Sequence, residues 1–419
     1  MSTVQEISVS ASARLHTADK DMKNVWVLAG VVALYGIGNG LMVTATPQAS
    51  IALHQSSKAL GILGSCIPLG YAASCLLCGR LFQRIPAKYV LLGGVLAGIT
   101  AVISMANART VEMCVASQIA FGLAGGAFWP FASAWMLDFE SEDIPRTRLL
   151  RYYNIAWTSG TSLGLFTAGL ICQHGYVFDT FYVAATVIGI VFVCACIPRV
   201  TQPQFALTSA QPDRPHKQIA LPLLLAAVIG NLCALGTRAI IVNNYAELNQ
   251  ALNFGAERMG LFTATMIMSQ LVAFSFGNAY ERRLGLRRTY SFIAASLIAV
   301  NLAFAFTSNL AILLSAIFLH GMALAMSFQS GILAGIGYFS SRRTGTTIHE
   351  SVVGVGGISA LLAGQFVSAL KTSGTAPLDA LRAPYLLMAV IIAAVLAAQM
   401  ILTSTQPERK LIACNRSKG

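Results

Sequence analysis

Eleven long stretches of this chain contain no Asp, Glu, Lys or Arg: residues 24–57, 59–79, 89–108, 113–137, 152–178, 180–198, 218–237, 259–280, 289–341, 351–370 and 383–407. A helix crosses the hydrocarbon core of a bilayer with about 20 mostly apolar residues. In lipid every backbone N–H and C=O must be bonded within the protein, which leaves helices and closed barrels. Barrel strands are segments of about 10 residues that alternate apolar and polar side chains, and these runs are longer and continuously apolar. The stretch 289–341 is too long for one helix, and "FTSNL", Phe306 to Leu310, supplies a polar turn near its middle. Splitting it gives twelve spans. Only 11% of residues are charged, against about 25% in soluble domains, so the expected fold is an all-α integral membrane protein with twelve transmembrane helices.

The first 23 residues are polar and mixed in charge, without the apolar core of a cleaved leader. An even number of crossings puts both termini on one side. That side collects 22 of the 28 Lys and Arg residues, and the opposite side holds Lys58, Arg109, Arg258, Lys371 and Arg382. Short cytoplasmic loops carry the positive excess. Both termini are therefore expected in the cytoplasm, with the chain in the cell (inner) membrane. The formal net charge of +12 follows from that topology and the anionic inner leaflet, so no nucleic-acid partner is implied. Cys75 and Cys78 have CxxC spacing inside an apolar run with no second pair. They read as packing residues, and no metal or cofactor is expected.

The segment Pro198 to Gln218, "PRVTQPQFALTSAQPDRPHKQ", has the composition of a solvated linker. It divides the chain into an N-terminal tail (1–24), a six-helix half (25–197), the linker (198–218), a second six-helix half (219–404) and a C-terminal tail (405–419). The halves echo one another. "GRLFQRIPAKYVLL" follows the second span and "GNAYERRLGLRRTY" the eighth. Asn154 precedes Gly169 by the same interval that separates His349 from Gly364.

These paired loops resemble the signature of the major facilitator superfamily, Gly-x-x-x-Asp-Arg-x-Gly-Arg-Arg. Gly79, Leu81, Arg84 and Lys88 match in the first loop, with Gln83 in place of the acid and Pro86 in place of the second glycine. The second loop has Glu281, Arg282, Gly285, Arg287 and Arg288, with one extra residue. The resemblance implies a cytoplasmic gate braced by these loops, held more weakly in the first half, where Gln83 replaces the acid. Proton-coupled drug antiporters of the superfamily carry two further motifs. Here Gln118 stands at the arginine of one, while the other keeps Gly160, Gly164 and Gly169 but has Leu165 and Ala168 in place of proline and glycine.

Transporters of this kind bind solute near the bilayer midplane between the halves. The polar and aromatic candidates for that cavity are Asn39, Gln118, Trp129, Asn231, Gln270, His320 and Gln329. Each of the polar ones has helix-to-helix hydrogen bonding as its plainer role. Pro130 beside Trp129 frees a carbonyl and lets its helix bend. Arg238 ends an uncharged run from Gln218, roughly 30 Å along a helix. That places it close to the outer mouth, as an interfacial anchor or as a cation that attracts an anionic solute.

The remaining candidates are Glu350 and His349. Glu350 lies about 10 Å beyond Arg343 along a helix, below the headgroups but short of the midplane. An acid there costs a few kcal/mol on insertion scales unless it faces protein or water. Its helical neighbours Gly354, Gly357, Leu361 and Gly364 offer a small-residue face for another helix. Glu350 is thus either a proton-coupling group or a structural latch. His349 is turned about 100° from it and is free to meet the half that contains Asn154.

The expected function is secondary transport of a small solute by alternating access, as a monomer in the lipid bilayer, with the proton as candidate coupling ion. Export of drugs or of metabolites such as siderophores is an alternative within that class. A membrane-embedded enzyme built on His349 and Glu350, or a sensor, is the alternative outside it.

Overall fold

A computed structural model describes residues 2–53, 55–81, 85, 87–137, 139, 144, 146–196, 220–276, 279–338 and 342–404. For 2–21, 78–81, 281–282 and 342–347, among others, it describes the backbone alone. The expected linker, 198–218, and the expected C-terminal tail, 405–419, lie outside the described residues. The first half contains α1 (Ser2–Ala52), α2 (Ser57–Leu81), α3 (Ala87–Ala106), α4 (Val111–Leu137), α5 (Arg146–Gln173) and α6 (Asp179–Cys196). The second contains α7, in which Leu221–Ala239 passes through a π-helical turn, Ile240–Asn244, into Tyr245–Ala251. It continues with α8 (Ala256–Ser275), α9 (Leu286–Phe306) and α10 (Leu310–Tyr338). Next comes α11, made of Arg342–Gly356 and Ile358–Thr372, and then α12 (Pro377–Ser404). A short helix, Ala279–Leu284, precedes α9, and Gly285 separates the two with φ 79°, a backbone that only glycine adopts without strain.

Eleven of the twelve long helices are apolar enough to span a bilayer. The exception, α8, carries Glu257, Arg258, Ser269 and Gln270. It tolerates them because it packs between α5 and α10 and buries Met259, Phe262, Met266 and Gln270. Helix α1 runs back to Ser2, through the expected N-terminal tail, and its apolar span begins at Met22.

The helix pairings repeat between the halves. α1 packs on α5 and α6, α2 on α4, and α3 on α4 and α6. α7 likewise packs on α11 and α12, α8 on α10, and α9 on α10 and α12. Each half has its own apolar core, and Leu165 of α5 reaches into the second. The close fit of α5 on α1 rests on Gly160 and Gly164, where a methyl group would collide with the carbonyls of Ala33 and Ile37. The halves meet along two related seams, α5 against α8 and α2 against α11. Small residues bring helices together where lipid gives no hydrophobic drive, and both seams use them. Gly169 meets Gly260 in one and Gly61 meets Gly364 in the other. In the α2–α11 seam, Gly354 lies against Pro68 and Ala72, and Gly357 against Pro68. The break in α11 at Gly357 therefore sits beside the proline of α2.

Candidate functional site

Both described ends of the chain lie at one end of this antiparallel bundle, the terminal end. At the opposite, far end, the last turns of α7 and α11 approach the start of α2. The Ser57 hydroxyl of α2 donates to Glu247 Oε2 (2.6 Å), and Lys371 Nζ donates to Ser57 Oγ (3.0 Å). Lys371 also forms an ion pair with Glu247. One residue of the first half is thus tied to an acid and a base of the second, and the halves are held together at the far end.

Deeper in the bundle, a girdle of partly exposed side chains passes through both halves. Trp129 of α4 lies 6.4 Å from Trp157 of α5, and Trp157 lies 6.4 Å from Phe274 of α8, across the first seam. Phe274 meets Phe328 of α10 at 6.4 Å, and Phe328 meets the ring of His349 on α11 at 4.5 Å. The adjacent Glu350 crosses the second seam, where Tyr71 of α2 donates its hydroxyl to Oε2 at 2.7 Å. Gly125 of α4 closes the circuit, with space beside it for the rings of both Tyr71 and Trp129. Behind Trp129, Tyr35 stacks on Phe128 at 3.7 Å and holds the indole edge-on at 5.3 Å. Tyr153 bonds the Trp129 carbonyl (3.3 Å), and the Trp157 indole N–H donates to Asn154 Oδ1 (3.2 Å). His349 is buried, but the rings of Tyr71, Trp129, Trp157, Phe274 and Phe328 and the Glu350 carboxylate are only partly buried although they stand between helices, so they line an interior space rather than fill a core. Among the described residues the ion pairs are Arg258 with Glu257 and Lys371 with Glu247. Among the described residues, Glu350 has the Tyr71 hydroxyl as its hydrogen-bond partner and no paired cation.

His349 does not meet the half that contains Asn154. It packs on Phe328 and beside Gly331 of α10, within its own half, while Asn154 is bonded to Trp157. Arg238 also departs from expectation. It is half-buried within α7, and the helix runs past it to Ala251, so it does not mark the outer mouth. The run of uncharged residues ends at Arg238 while the span does not, because this position turns toward α10. There it lies within electrostatic reach of His320, which is fully buried with neither ring nitrogen bonded. His320 stands eight positions from Phe328, the girdle residue of α10, about 12 Å along the helix at 1.5 Å per residue.

Trp129 is the cavity candidate that the girdle includes. Gln118 is fully buried and donates to Thr46 Oγ1 of α1 at 2.6 Å, a helix-to-helix bond. Gln329 accepts from the Tyr280 hydroxyl (2.9 Å). Asn231 on α7 lies near Gly331 with its amide unpartnered, Gln270 is buried on α8, and Asn39 is half-buried on α1. Of the expected gate, Arg84 lies outside the described residues, and the side chains of Gly79, Glu281 and Arg282 are not described. Lys88 reaches the Cys196 carbonyl at 3.5 Å, Arg287 and Arg288 are exposed, and Gly285 is the helix break already noted. Sequence reasoning missed Tyr71, Trp157, Phe274 and Phe328, and also Ser57, Glu247 and Lys371. The available signal was Glu247 and Lys371, opposite charges at one end of the bundle.

Two repeated six-helix halves that enclose a polar and aromatic site at their seams define the class of the two-half membrane transporter fold. Residues 28–228 match the model of the Major Facilitator Superfamily. Among curated relatives, the arabinose-proton symporter of Escherichia coli (strain K12) is 28% identical over 148 residues, 35% of this chain and 31% of that protein. Multidrug resistance protein 1 of Bacillus subtilis (strain 168) is 24% identical over 149 residues, 36% of this chain and 38% of that protein. The matches thus span about a third of each curated relative. Among solved structures, the nucleoside transporter NupG superposes with a TM-score of 0.72 at 14% identity, covering 91% of this chain and 99% of that one. A bacterial homolog of the human lysosomal transporter Spinster, inward-facing and occupied, gives 0.71 at 11% identity, covering 92% and 97%. Residues 28–228 thus resemble the Major Facilitator Superfamily, and the described chain has the fold of these solved transporters.

Proposed function

We propose that this protein is a secondary active transporter of a small solute, working by alternating access, and that the proton is its coupling ion, carried by Glu350. The observation behind this reading is the Tyr71–Glu350 hydrogen bond. It places the sole acid of the girdle at a seam between two halves that must move past one another. An ionised carboxylate without a fixed cation is costly inside a membrane. A group in that position gains by taking up a proton on the side where the cavity opens and releasing it on the other.

The excess of Lys and Arg supports a cytoplasmic terminal end, and we read the protein as an inner-membrane monomer. On that assignment the Ser57–Glu247–Lys371 cluster closes the periplasmic side, and the girdle is reached from the cytoplasm. The basic loops with Arg84, Lys88, Glu281, Arg282, Gly285, Arg287 and Arg288 would close the cytoplasmic side in the opposite state. A membrane enzyme built on His349 and Glu350 has less support, because the two residues face different neighbours, Phe328 and Tyr71.

Flux in proteoliposomes with an imposed pH gradient tests the reading. Glu350→Gln should abolish pH-driven accumulation while solute exchange at equal pH, measured at saturating solute, continues. Accumulation against a gradient with unchanged pH response in that variant would refute Glu350 as the coupling group.

A further inference from the structure

We infer that the girdle is a binding site for an organic cation with a flat, unsaturated body, held between aromatic faces and neutralised by Glu350. This rests on the transport reading above and names the solute class of the same site.

Three observations carry it. The first is composition: along the circuit of Tyr71, Trp129, Trp157, Phe274, Phe328, His349 and Glu350, five positions are Tyr, Trp or Phe, one is a buried histidine and one is an acid. Aromatic faces carry the negative side of a quadrupole, so they attract a cation within about 6 Å of a ring centre and repel an anion. The second is spacing. The consecutive centroids of Trp129, Trp157, Phe274 and Phe328 are each 6.4 Å apart, and the three contacts are edge-on, with interplanar angles of 69°, 62° and 73°. Rings set edge to face leave faces turned to the interior, where a planar guest stacks.

The third is charge balance. Glu350 has no cationic partner among the described residues, and the ion pairs described lie elsewhere. A carboxylate in such surroundings needs a mobile countercharge. A proton supplies one when the site is empty, and a solute cation supplies one when it is occupied. Arg238 lies within electrostatic reach of His320, and among the described residues no cation is paired with Glu350. The solute sign is therefore the reverse of the anion expected from an arginine at the mouth.

The test is binding to the full-length protein purified in detergent, read by quenching of tryptophan fluorescence, with N-methylacridinium and its uncharged isostere acridine as probes at pH 8. The expected result is saturable binding of N-methylacridinium that weakens at least tenfold in Glu350→Gln but is kept in Glu350→Asp. Trp157→Leu should weaken it by a similar factor, while Trp157→Phe retains it. Acridine should bind more weakly than the cation and equally to wild type and Glu350→Gln. No binding of N-methylacridinium to wild-type protein, or equal affinity in wild type and a monodisperse Glu350→Gln variant, overturns the proposal. Flux separates it from the transport reading. Glu350-dependent binding without any flux of the cation would overturn transport and leave the site standing. Proton-driven flux of some other solute with no cation binding would do the reverse.

Discussion

Gly169 of α5 and Gly260 of α8 meet backbone to backbone, so closely that a methyl group on either would stand 2.8 Å from the other's Cα. Gly61 of α2 and Gly364 of α11 form the corresponding contact in the second seam. Both lie toward the far end, the end that the Ser57–Glu247–Lys371 cluster holds together. The halves fit there only because four positions carry no side chain.

A side chain at this contact should hold the far end open. Gly169→Leu is expected to shift the protein toward the far-open state and to reduce transport at least tenfold at matched expression. Spin labels on Lys58 and Ala251, which are exposed on opposite halves at the far end, measure the shift in a cysteine-free background. An unchanged distance distribution would show that the contact does not govern closure.

The Lys371–Glu247 pair should act in the same direction by a different force. Its side chains are 30% and 24% exposed, and a charged hydrogen bond so placed contributes about 1–3 kcal/mol. Lys371→Met should raise the far-open population about tenfold. The exchanged pair, Glu247→Lys with Lys371→Glu, should restore much of the closure. The same label pair reads both, and failure of the exchange to restore closure would assign the effect to Ser57 or to packing.

Gln118 was an attractive cavity candidate because a lone amide in an apolar span invites a solute. The structure gives it to Thr46 instead. Gln118→Leu should therefore lower stability by about 1 kcal/mol, the size of one interhelical hydrogen bond in a membrane. The Michaelis constant should stay within about twofold. Thermal melting in detergent and uptake kinetics separate the two effects, and a raised constant with unchanged melting would return Gln118 to the cavity.

The twelve helices, their repeat, and Gly169 and Gly364 of the seams were legible because each is local. An uncharged run long enough to span, a repeated interval between Asn154 and Gly169, or a stripe of small residues beyond Glu350 can be counted along one segment. The girdle was not legible for the opposite reason. Tyr71 and Glu350 are 279 positions apart, and Trp157 and Phe274 come from different halves, so only packing reveals the pairs. Arg238 failed for a third reason. A charged residue was taken to end a span, whereas one that faces another helix rather than lipid interrupts the hydropathy and leaves the helix intact.

Tyr71 separates the two roles open to Glu350. If the carboxyl works by carrying a proton, the Tyr71 hydroxyl only orients it. If the hydrogen bond works as a latch across the α2–α11 seam, both ends are equally necessary. Tyr71→Phe removes the bond and keeps both the ring and the acid. The lost bond is worth about 1 kcal/mol, or roughly a fivefold change in any equilibrium it biases. The proton carrier predicts that Tyr71→Phe still accumulates solute in response to a pH gradient, with a rate altered about fivefold or less, while Glu350→Gln accumulates none. The latch predicts that the two variants behave alike, both losing accumulation or both retaining it. Parallel uptake and exchange measurements on the two proteins in the same vesicles decide the matter, and matching phenotypes would reassign Glu350 from coupling to holding the halves together.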